Sequence, residues 1–284
     1  MIRPRLLREL MLVSPSQRER GHHLSAASGL VAVADFLYVV ADDEHHLGVF
    51  PAQGEDAGLL IPIFANELPL PHAARKAAKA DLEALTWLPP FADYPHGALL
   101  LLGSGSTMQR CRGAVLALDA TGAIDGAARS FDLGELYQIL RRELPALNIE
   151  GALVVADELI LLQRASRTQP INALIRLPLA ALLSAVSSDG FAEHSEPDAI
   201  QQISLGDIDG VALGFTDGTA LADGRIVFTA AAENASDTYE DGPCAGVAIG
   251  ILGRDGRLQC LEGVQPTQKI EGISARREGD VLRL

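Results

Sequence analysis

The stretch LNIEGALVVADELILL, residues 147–162, decides the fold of this chain. Two runs of mostly large apolar residues are separated by a short polar step, a pattern that is typical of a pair of β-strands. Glu150 stands directly before Gly151 at the start of the first run, although the rest of the segment is apolar enough to be buried. The segment is therefore interpreted as a strand pair with a carboxylate at one end.

The same strand start recurs along the chain. Related segments are SGLVAVADFLYVV, DLEALTWL, DIDGVALGF and KIEGIS. When the segments are aligned on the residue before the small one, successive repeats lie 55 to 67 residues apart. The aligned positions are Ser28, Glu83, Glu150, Asp209 and Glu271. Five near-regular repeats of this size predict a radial or stacked β architecture.

Each repeat contains strand-like runs separated by turn residues, as the first shows with GLVAVA, FLYVVAD, HLGVFPA and GLLIPIF. Four antiparallel strands per repeat form the blade of a β-propeller. The sequence therefore predicts an all-β chain that folds as a single β-propeller domain over residues 1–284. About five blades are expected, and six fit the sequence if a long repeat contains an additional sheet.

The fifth repeat is short, so the strands of its blade are incomplete. Propellers commonly complete the last blade with the other end of the chain, which removes exposed sheet edges. The segment RLLRELMLV, residues 5–13, is therefore expected to pair near residues 270–284. At most a short helix is expected in HAARKAAKADLEAL before Leu82. Residues 133–144 favour a helix, with an outer strand followed by a loop as the alternative.

Charge and composition exclude several classes of partner. A net charge of −14 and a pI near 4.9 argue against nucleic acids and anionic membranes, because both require a basic surface. Three widely spaced cysteines suggest neither a disulfide framework nor a zinc site. No convincing signal peptide or membrane-spanning run is found. A cytoplasmic protein with a small-molecule ligand is the simplest expectation.

The aligned carboxylates form the first candidate site. In a propeller blade the first strand lies beside the central channel, so Glu83, Glu150, Asp209 and Glu271 should gather at one mouth, with Ser28 in the fifth place. Clustered carboxylates repel each other and need protons, hydrogen-bond donors or a hard cation. A Ca²⁺ or Mg²⁺ site is one interpretation. The alternatives are carboxylates that accept backbone N–H groups of the neighbouring blade, or carboxylates that are merely solvated.

The ends of the second strands supply another candidate set. Their polar residues are Asp42, Asp43, Glu44, Arg110, Arg164, Glu233 and Asn234. Arginines pair with carboxylate or phosphate groups and acidic residues take hydroxyl groups or a cation, so the mixture suits a polar small molecule. Ordinary loop polarity is the alternative for each residue. The polar interruption at residues 231–246 is expected to extend over the same mouth.

The repeated strand start and the segment IVFTAAAENASDTYEDGPCAGVAIG, residues 226–250, resemble a group of uncharacterised bacterial β-propellers. That group is allied to the esterase-like and phytase-like domain. The resemblance implies a propeller with a site at the channel mouth, and its phytase relatives hydrolyse phosphoesters with calcium. This chain lacks the dense acidic and basic sets that a highly charged inositol phosphate requires.

Two functions are therefore expected from different classes. One is a metal-assisted hydrolase that acts on a phosphoester, an ester or a lactone through water held at the mouth. The other is a non-catalytic propeller that binds a small ligand or a partner protein. The segment GSGST, residues 103–107, supports neither a phosphate-binding loop nor a serine-hydrolase elbow, because the required glycine spacing is missing.

Overall fold

A computed structural model describes residues 1–166, 169–188, 190–191, 196–233, 244–265 and 268–284. These residues form four antiparallel sheets, one separate hairpin and three short helices, arranged as in a β-propeller. The predicted all-β architecture is thus confirmed. None of the helices in the described ranges is long and apolar enough to cross a bilayer.

Each sheet consists of strands that follow one another in sequence, joined by hairpins. Sheet 1 contains β1 (Ala27–Val33), β2 (Phe36–Ala41), β3 (His46–Pro51) and β4 (Leu59–Pro62). Sheet 2 contains β5 (Leu82–Leu88), β6 (Ala98–Gly103), β7 (Arg112–Ala117) and β8 (Arg129–Asp132). Sheet 3 contains β9 (Ile149–Val155), β10 (Glu158–Gln163), β11 (Asn172–Pro178) and β12 (Ala199–Ile203). Sheet 4 contains β13 (Asp207–Ile208), β14 (Val211–Ala220), β15 (Ile226–Glu233), β16 (Cys244–Leu252) and β17 (Leu258–Gly263), and the hairpin contains β18 (Arg276–Glu278) and β19 (Val281–Arg283).

The sheets pack face to face, and the second strand of each sheet is apolar on both faces. In β6, Leu99 and Leu101 join the core shared with sheet 1, whereas Leu100 and Leu102 join the core shared with sheet 3. Successive side chains of a strand point to opposite faces, so an unbroken leucine run fills two cores at once. This explains why ALLLLG shows no polar alternation.

The number of blades differs from the expectation of five or six. In the described ranges the chain forms four blades, because the fifth repeat contributes there only the hairpin β18–β19 and a non-strand segment, residues 270–275. Within that segment Ile273 is buried, and it packs with Val227 of β15 and Leu221. The fifth repeat therefore keeps its inner segment without a blade of its own.

The N-terminal segment does not pair with residues 270–284 as expected. Ile2 forms a parallel bridge with Val264, next to β17, and Leu12 forms a parallel bridge with Gly58, next to β4. Between these two bridges the chain forms no strand, and Leu6 and Leu7 are exposed. Proline at position 4 lacks the N–H that a strand ladder uses.

The two predicted helices are confirmed, and a third was not anticipated. The helix α1 (His72–Ala78) ends shortly before β5, and α2 (Gly134–Leu140) follows sheet 2. The third, α3 (Leu179–Ser188), lies between β11 and β12. Both α2 and α3 bury apolar side chains in the core between sheets 2 and 3. The helices therefore cover the sheets without interrupting the blades.

Candidate ligand-binding site

The inner strands β1, β5, β9 and β14 share an irregularity near the middle or the start of the strand. In each, the pairing with the second strand shifts by one residue, which is a β-bulge. The bulged positions are Ser28 with Gly29, Glu83, Glu150 and Thr216. A bulge re-aims the side chain of the extra residue. A β-bulge in each inner strand thus changes the direction of these polar side chains relative to a regular strand.

Asp209 does not occupy the fourth of these positions. It lies exposed in the turn between β13 and β14, and its φ of 53° is followed by a φ of 77° at Gly210. Two successive left-handed residues of the Asp-Gly type form a tight hairpin turn. The sequence DG therefore marks a turn here, whereas Thr216 is the residue equivalent to Glu83 and Glu150.

The small residue after each polar position allows neighbouring inner segments to approach. A β-carbon at Gly29 would lie 2.9 Å from the carbonyl oxygen of Glu83, and one at Gly272 would lie 2.9 Å from that of Ser28. A β-carbon at Gly151 would lie 3.2 Å from a backbone nitrogen of β14. Glycine thus follows the polar residue at these positions because a β-carbon there would crowd the neighbouring inner segment.

The two candidate sets predicted from the sequence meet at one end of the propeller. Each second strand runs antiparallel to the first, so it ends where the bulge of the first strand begins. The charged and hydroxyl side chains that gather there are called the mouth cluster. Its members are Ser28, Asp42, Lys79, Asp81, Glu83, Arg110, Glu150, Arg164, Glu233, Lys269 and Glu271.

One half of the mouth cluster surrounds Asp81, which follows α1. Lys79 contacts the carboxylate of Asp42, and its Nζ lies 2.7 Å from Oδ1 of Asp81. On the other side, Arg110 lies 2.9 Å from Oδ2 of Asp81, which also accepts the hydroxyl group of Ser104. Burial tends to lower the pKa of Lys79, but Asp81 and Asp42 raise it above its ordinary value. Lys79 therefore stays a cation between two carboxylates.

The other half joins sheets 3 and 4 to residues 268–271. Arg164 lies 3.2 Å from Glu150 and 2.5 Å from Glu233. Lys269 continues the chain of charges, at 2.7 Å from Glu233 and in contact with Glu271. Cations and carboxylates therefore alternate from Glu150 to Glu271. The arginine bridges two blades, and the lysine ties the second of them to the following segment.

Glu150 combines burial with a strong donor set. The amide of Asn148 donates to its Oε1 at 2.5 Å, while Arg164 contacts Oε2. Burial raises the pKa of Glu150 to about 7, against the attraction of Arg164. A carboxyl group with such a pKa exchanges its proton near neutral pH, which is the behaviour required of an acid–base group.

Glu83 lies between the two halves of the mouth cluster. Its hydrogen-bond donor is the hydroxyl group of Ser28, and its charged neighbours include Glu150, Asp81 and Asp42. Burial and these three carboxylates raise its pKa well above the ordinary value. Among the described residues, no basic side chain forms an ion pair with Glu83.

Asp43 and Glu44 face the N-terminal segment and not the mouth cluster. Arg20 lies 2.7 Å from the carboxylate of each. The hydroxyl group of Ser16 also donates to Glu44, at 2.8 Å. The run of acidic residues after β2 thus divides, because only Asp42 turns towards Lys79. The other two hold residues 16–25 against sheet 1.

The predicted excursion at residues 231–246 lies mostly outside the described residues, as does Asn234. The flanking positions are described. Glu233, the last residue of β15, belongs to the mouth cluster, and it pairs with Cys244 at the start of β16. The placement of the intervening loop over the mouth stays a prediction.

Sequence reasoning missed Lys79, Asp81, Lys269 and Thr216. A signal for three of them was present, because alternate residues of an extended chain share a face. The inner segments read Lys79-x-Asp81-x-Glu83 and Lys269-x-Glu271, each with a charged residue two positions before the aligned carboxylate. The lysines that pair with Asp81 and Glu271 therefore each stand two residues before their partner in the sequence.

The mouth cluster contains three acidic residues that could serve as oxygen ligands for a hard cation. Carboxylate oxygens of Asp42, Asp81 and Glu83 lie within 4.8 Å of one another, a spacing that suits Ca²⁺ or Mg²⁺. Lys79, however, contacts Asp42 and Asp81, so its ammonium group competes for the same oxygens. The residues do not fit a resident divalent cation while Lys79 stays in place.

Radially packed antiparallel sheets of four or five strands, with a polar mouth, define the chain as a β-propeller protein. The chain belongs to a family described as a family of unknown function (DUF6929), whose model matches residues 23–284. This description carries no esterase-like or phytase-like designation, so that part of the expectation has no support. No curated protein matches the chain.

Several solved structures are similar in outline. A putative TolB from Agrobacterium tumefaciens is 10% identical, with 84% of this chain and 79% of that chain covered, at a TM-score of 0.33. The WD40 β-propeller domain of Doa1 is 9% identical over 88% and 86%, at 0.32. An ACO/RPE65 chimera carrying D477G is 10% identical over 83% of this chain at 0.32, and this chain spans only 48% of its length.

Proposed function

We propose that this propeller binds a small polar molecule at the mouth cluster. The supporting observation is the alternation of cations and carboxylates, drawn from the strands of the sheets, the segments that adjoin them and residues 268–271. Buried ion pairs rarely stabilise a fold more than apolar residues of similar volume. Such a concentration of charge is therefore better explained by a polar ligand than by cohesion between blades.

A second candidate is hydrolysis of an ester, a lactone or a phosphoester by acid–base chemistry. It is favoured by Glu150 and Glu83, two neighbouring carboxyl groups whose pKa values are raised by burial. When the environments of two such groups differ, one can hold a proton while the other accepts one. Water activated by Glu150 and a leaving group protonated by Glu83 would complete this reaction without a metal ion.

A metal-assisted reaction is not part of this proposal. Lys79 already neutralises Asp42 and Asp81, and Arg164 and Asn148 already contact Glu150. The wild-type unfolding midpoint should therefore be the same with calcium, with magnesium and with a chelator. A midpoint that rises with either ion, together with co-purified metal, would restore the cation interpretation.

The proposal is tested by a thermal-shift panel of sugars, sugar phosphates, amino acids, nucleosides and small esters. At least one class should raise the unfolding midpoint of the wild type. The shift should be reduced in Glu233→Gln, which disconnects Arg164 from Lys269. Glu158→Gln is the matched control, because Glu158 begins β10 at the end remote from the bulge and pairs with Arg176.

The panel decides between clear outcomes. No stabilising class, or equal stabilisation of both variants, contradicts a ligand site at the mouth cluster. Hydrolysis is measured separately with p-nitrophenyl acetate and p-nitrophenyl phosphate. Turnover that disappears in both Glu83→Gln and Glu150→Gln supports the second candidate, whereas turnover that neither variant changes contradicts it.

We also infer that residues 270–275 complete the propeller in place of a fifth blade. The backbone N–H of Ile273 donates to Asp217 of β14 at 2.8 Å, and Gly272 lies against Ser28 and Leu30 of β1. The hydroxyl group of Thr216 donates to the carbonyl oxygen of Ile270 at 2.6 Å. These contacts support a segment inserted between the last sheet and the first.

A further inference from the structure

The mouth cluster has one interruption in its sequence of charges. From Glu150 to Glu271 every carboxylate is followed by a cation, and from Asp42 to Arg110 the same holds. Between these two halves, Glu83 adjoins Glu150 on one side and Asp81 with Asp42 on the other. Among the described members of the cluster, Glu83 is thus the carboxyl group that forms no ion pair with a basic side chain.

The mouth cluster contains more acidic than basic side chains. Six carboxyl groups share four basic side chains, Lys79, Arg110, Arg164 and Lys269. Each basic group is already engaged with at least one of the carboxylates other than Glu83. One of the two excess carboxyl groups belongs to the run from Glu150 to Glu271, where three carboxylates share two cations, and the other is Glu83.

From this break in the alternation we infer that the ligand carries a primary amine or a guanidinium group, which Glu83 accepts together with the adjacent carboxyl groups. The inference rests on the proposed function, because it assigns a chemical class to the ligand of the same site. Carboxylates that lack a partner favour a cationic donor, since a charged hydrogen bond is about twice as strong as a neutral one.

The side chain of Lys79 shows that carboxylates close to Glu83 bind an ammonium group. The ammonium group of Lys79 contacts Asp42 and Asp81, whose oxygens lie within 4.8 Å of an oxygen of Glu83. A ligand amine at Glu83 would extend the alternation by one member. A phosphate or carboxylate ligand, in contrast, would be repelled by Glu83 and Glu150.

Matched pairs of compounds test this inference by isothermal titration calorimetry. Putrescine is compared with 1,4-butanediol, and glucosamine with N-acetylglucosamine, because each pair differs chiefly in the positive charge. The amines should bind more tightly than their neutral partners by about tenfold or more, the usual effect of one charged hydrogen bond. The difference should shrink as salt is added.

The variant Glu83→Gln assigns the effect to this residue. Gln keeps the shape and has no charge, and Glu83 itself is readily protonated, so the fold should be retained. The preference for amines should disappear in this variant and persist in Glu158→Gln, whose side chain pairs with Arg176. Circular dichroism of both variants checks that they are folded.

Each outcome bears on one proposal. Equal binding of amines and neutral partners overturns the inference and leaves the ligand site standing. An amine preference that survives in Glu83→Gln overturns the role of Glu83. If no amine binds while another class from the panel does, the inference fails alone. If nothing in either experiment binds, the proposed function fails with it.

Discussion

The carboxylate of Asp217 accepts the backbone N–H of Ile273 at 2.8 Å and that of Gly218 at 2.7 Å. Asp217 is buried in β14, whereas Ile273 lies in the segment after all four sheets. One side chain therefore connects the fourth sheet with the residues that adjoin the first. It directly follows Thr216, the bulged position of that strand.

Replacement of Asp217 by Asn should destabilise the protein. The amide has only one acceptor oxygen, so one of the two N–H donors loses its partner in a buried place. We expect the free energy of unfolding to fall by about 1–3 kcal/mol. Urea unfolding measures it. Asp223→Asn, at the exposed turn before β15, is the control and should cause a much smaller change, because its contacts with Arg225 are open to solvent. An equal effect of both changes would contradict the role of Asp217.

Replacement of Thr216 by Val should loosen residues 270–275 locally. The shape is kept, but the hydrogen bonds to the carbonyl oxygen of Ile270 and to Thr229 are lost. Hydrogen exchange of peptides from residues 268–284 should become faster, while exchange in β5 and β6 stays unchanged. Uniform acceleration throughout the chain would indicate a global loss of stability in place of a local attachment.

Arg164→Met should cost more stability than Arg176→Met. Arg164 lies between Glu150 and Glu233, both largely buried, so its removal leaves Glu150 without a cation and Glu233 with Lys269 alone. Removing one partner of a buried pair typically costs about 3–5 kcal/mol. Arg176 pairs with the more exposed Glu158, and about 0–1 kcal/mol is expected there. Comparable losses of stability in the two variants would show that the ion pairs at the mouth contribute no more than a more exposed pair.

Glu150 should make stability depend on pH. Its pKa is raised from 4.5 in the unfolded chain to about 7 in the folded one, chiefly by burial. The protonated form is therefore favoured by folding, so the contribution is complete below about pH 4.5 and is lost as the pH rises through about 7. This loss amounts to about 3 kcal/mol.

Glu150→Gln removes this titration. Urea unfolding between about pH 5 and pH 8 should show a smaller decline for the variant than for the wild type. Glu158→Gln should keep the wild-type slope, because Glu158 lies away from the mouth cluster. Parallel curves for wild type and Glu150→Gln would show that Glu150 titrates at its ordinary pKa in the folded protein.

Lys79→Met should create a cation site that the wild type lacks. Without the ammonium group, Asp42, Asp81 and Glu83 retain the spacing of a hard-cation site. Calcium should then raise the unfolding midpoint of the variant, and a chelator should reverse the increase. Wild-type protein treated in the same way is the control. If calcium leaves the unfolding midpoint of the variant unchanged, these carboxylates are not arranged to coordinate a cation.

The strands and the propeller class could be predicted because alternating apolar runs and hairpin turns are local properties. The number of blades could not, because the fifth repeat has the inner motif, including Gly272, although its described residues form a non-strand segment and a hairpin. Asp209 was misaligned for a related reason. An Asp-Gly turn and a bulge followed by glycine look alike in sequence, although one lies at a hairpin tip and the other beside the channel.

The site could be predicted only in part. Glu83, Glu150 and Glu271 were found because they recur with the repeat, and Arg164 because it closes an apolar strand. The order of the ion pairs was not accessible, since Arg164 meets Glu233 across two blades that are remote in sequence. Periodicity identifies which residues face the mouth, but the packing of the sheets decides which charges touch.

The position of Lys269 and Glu271 in the chain has a consequence for biosynthesis. Both follow all four sheets in sequence, so a ribosome delivers the blades before it delivers the lysine that neutralises Glu233. A nascent chain with four finished blades still has an unbalanced acidic cluster at its centre. The charges of the mouth cluster are therefore paired only once residues 268–271 have reached the folded sheets.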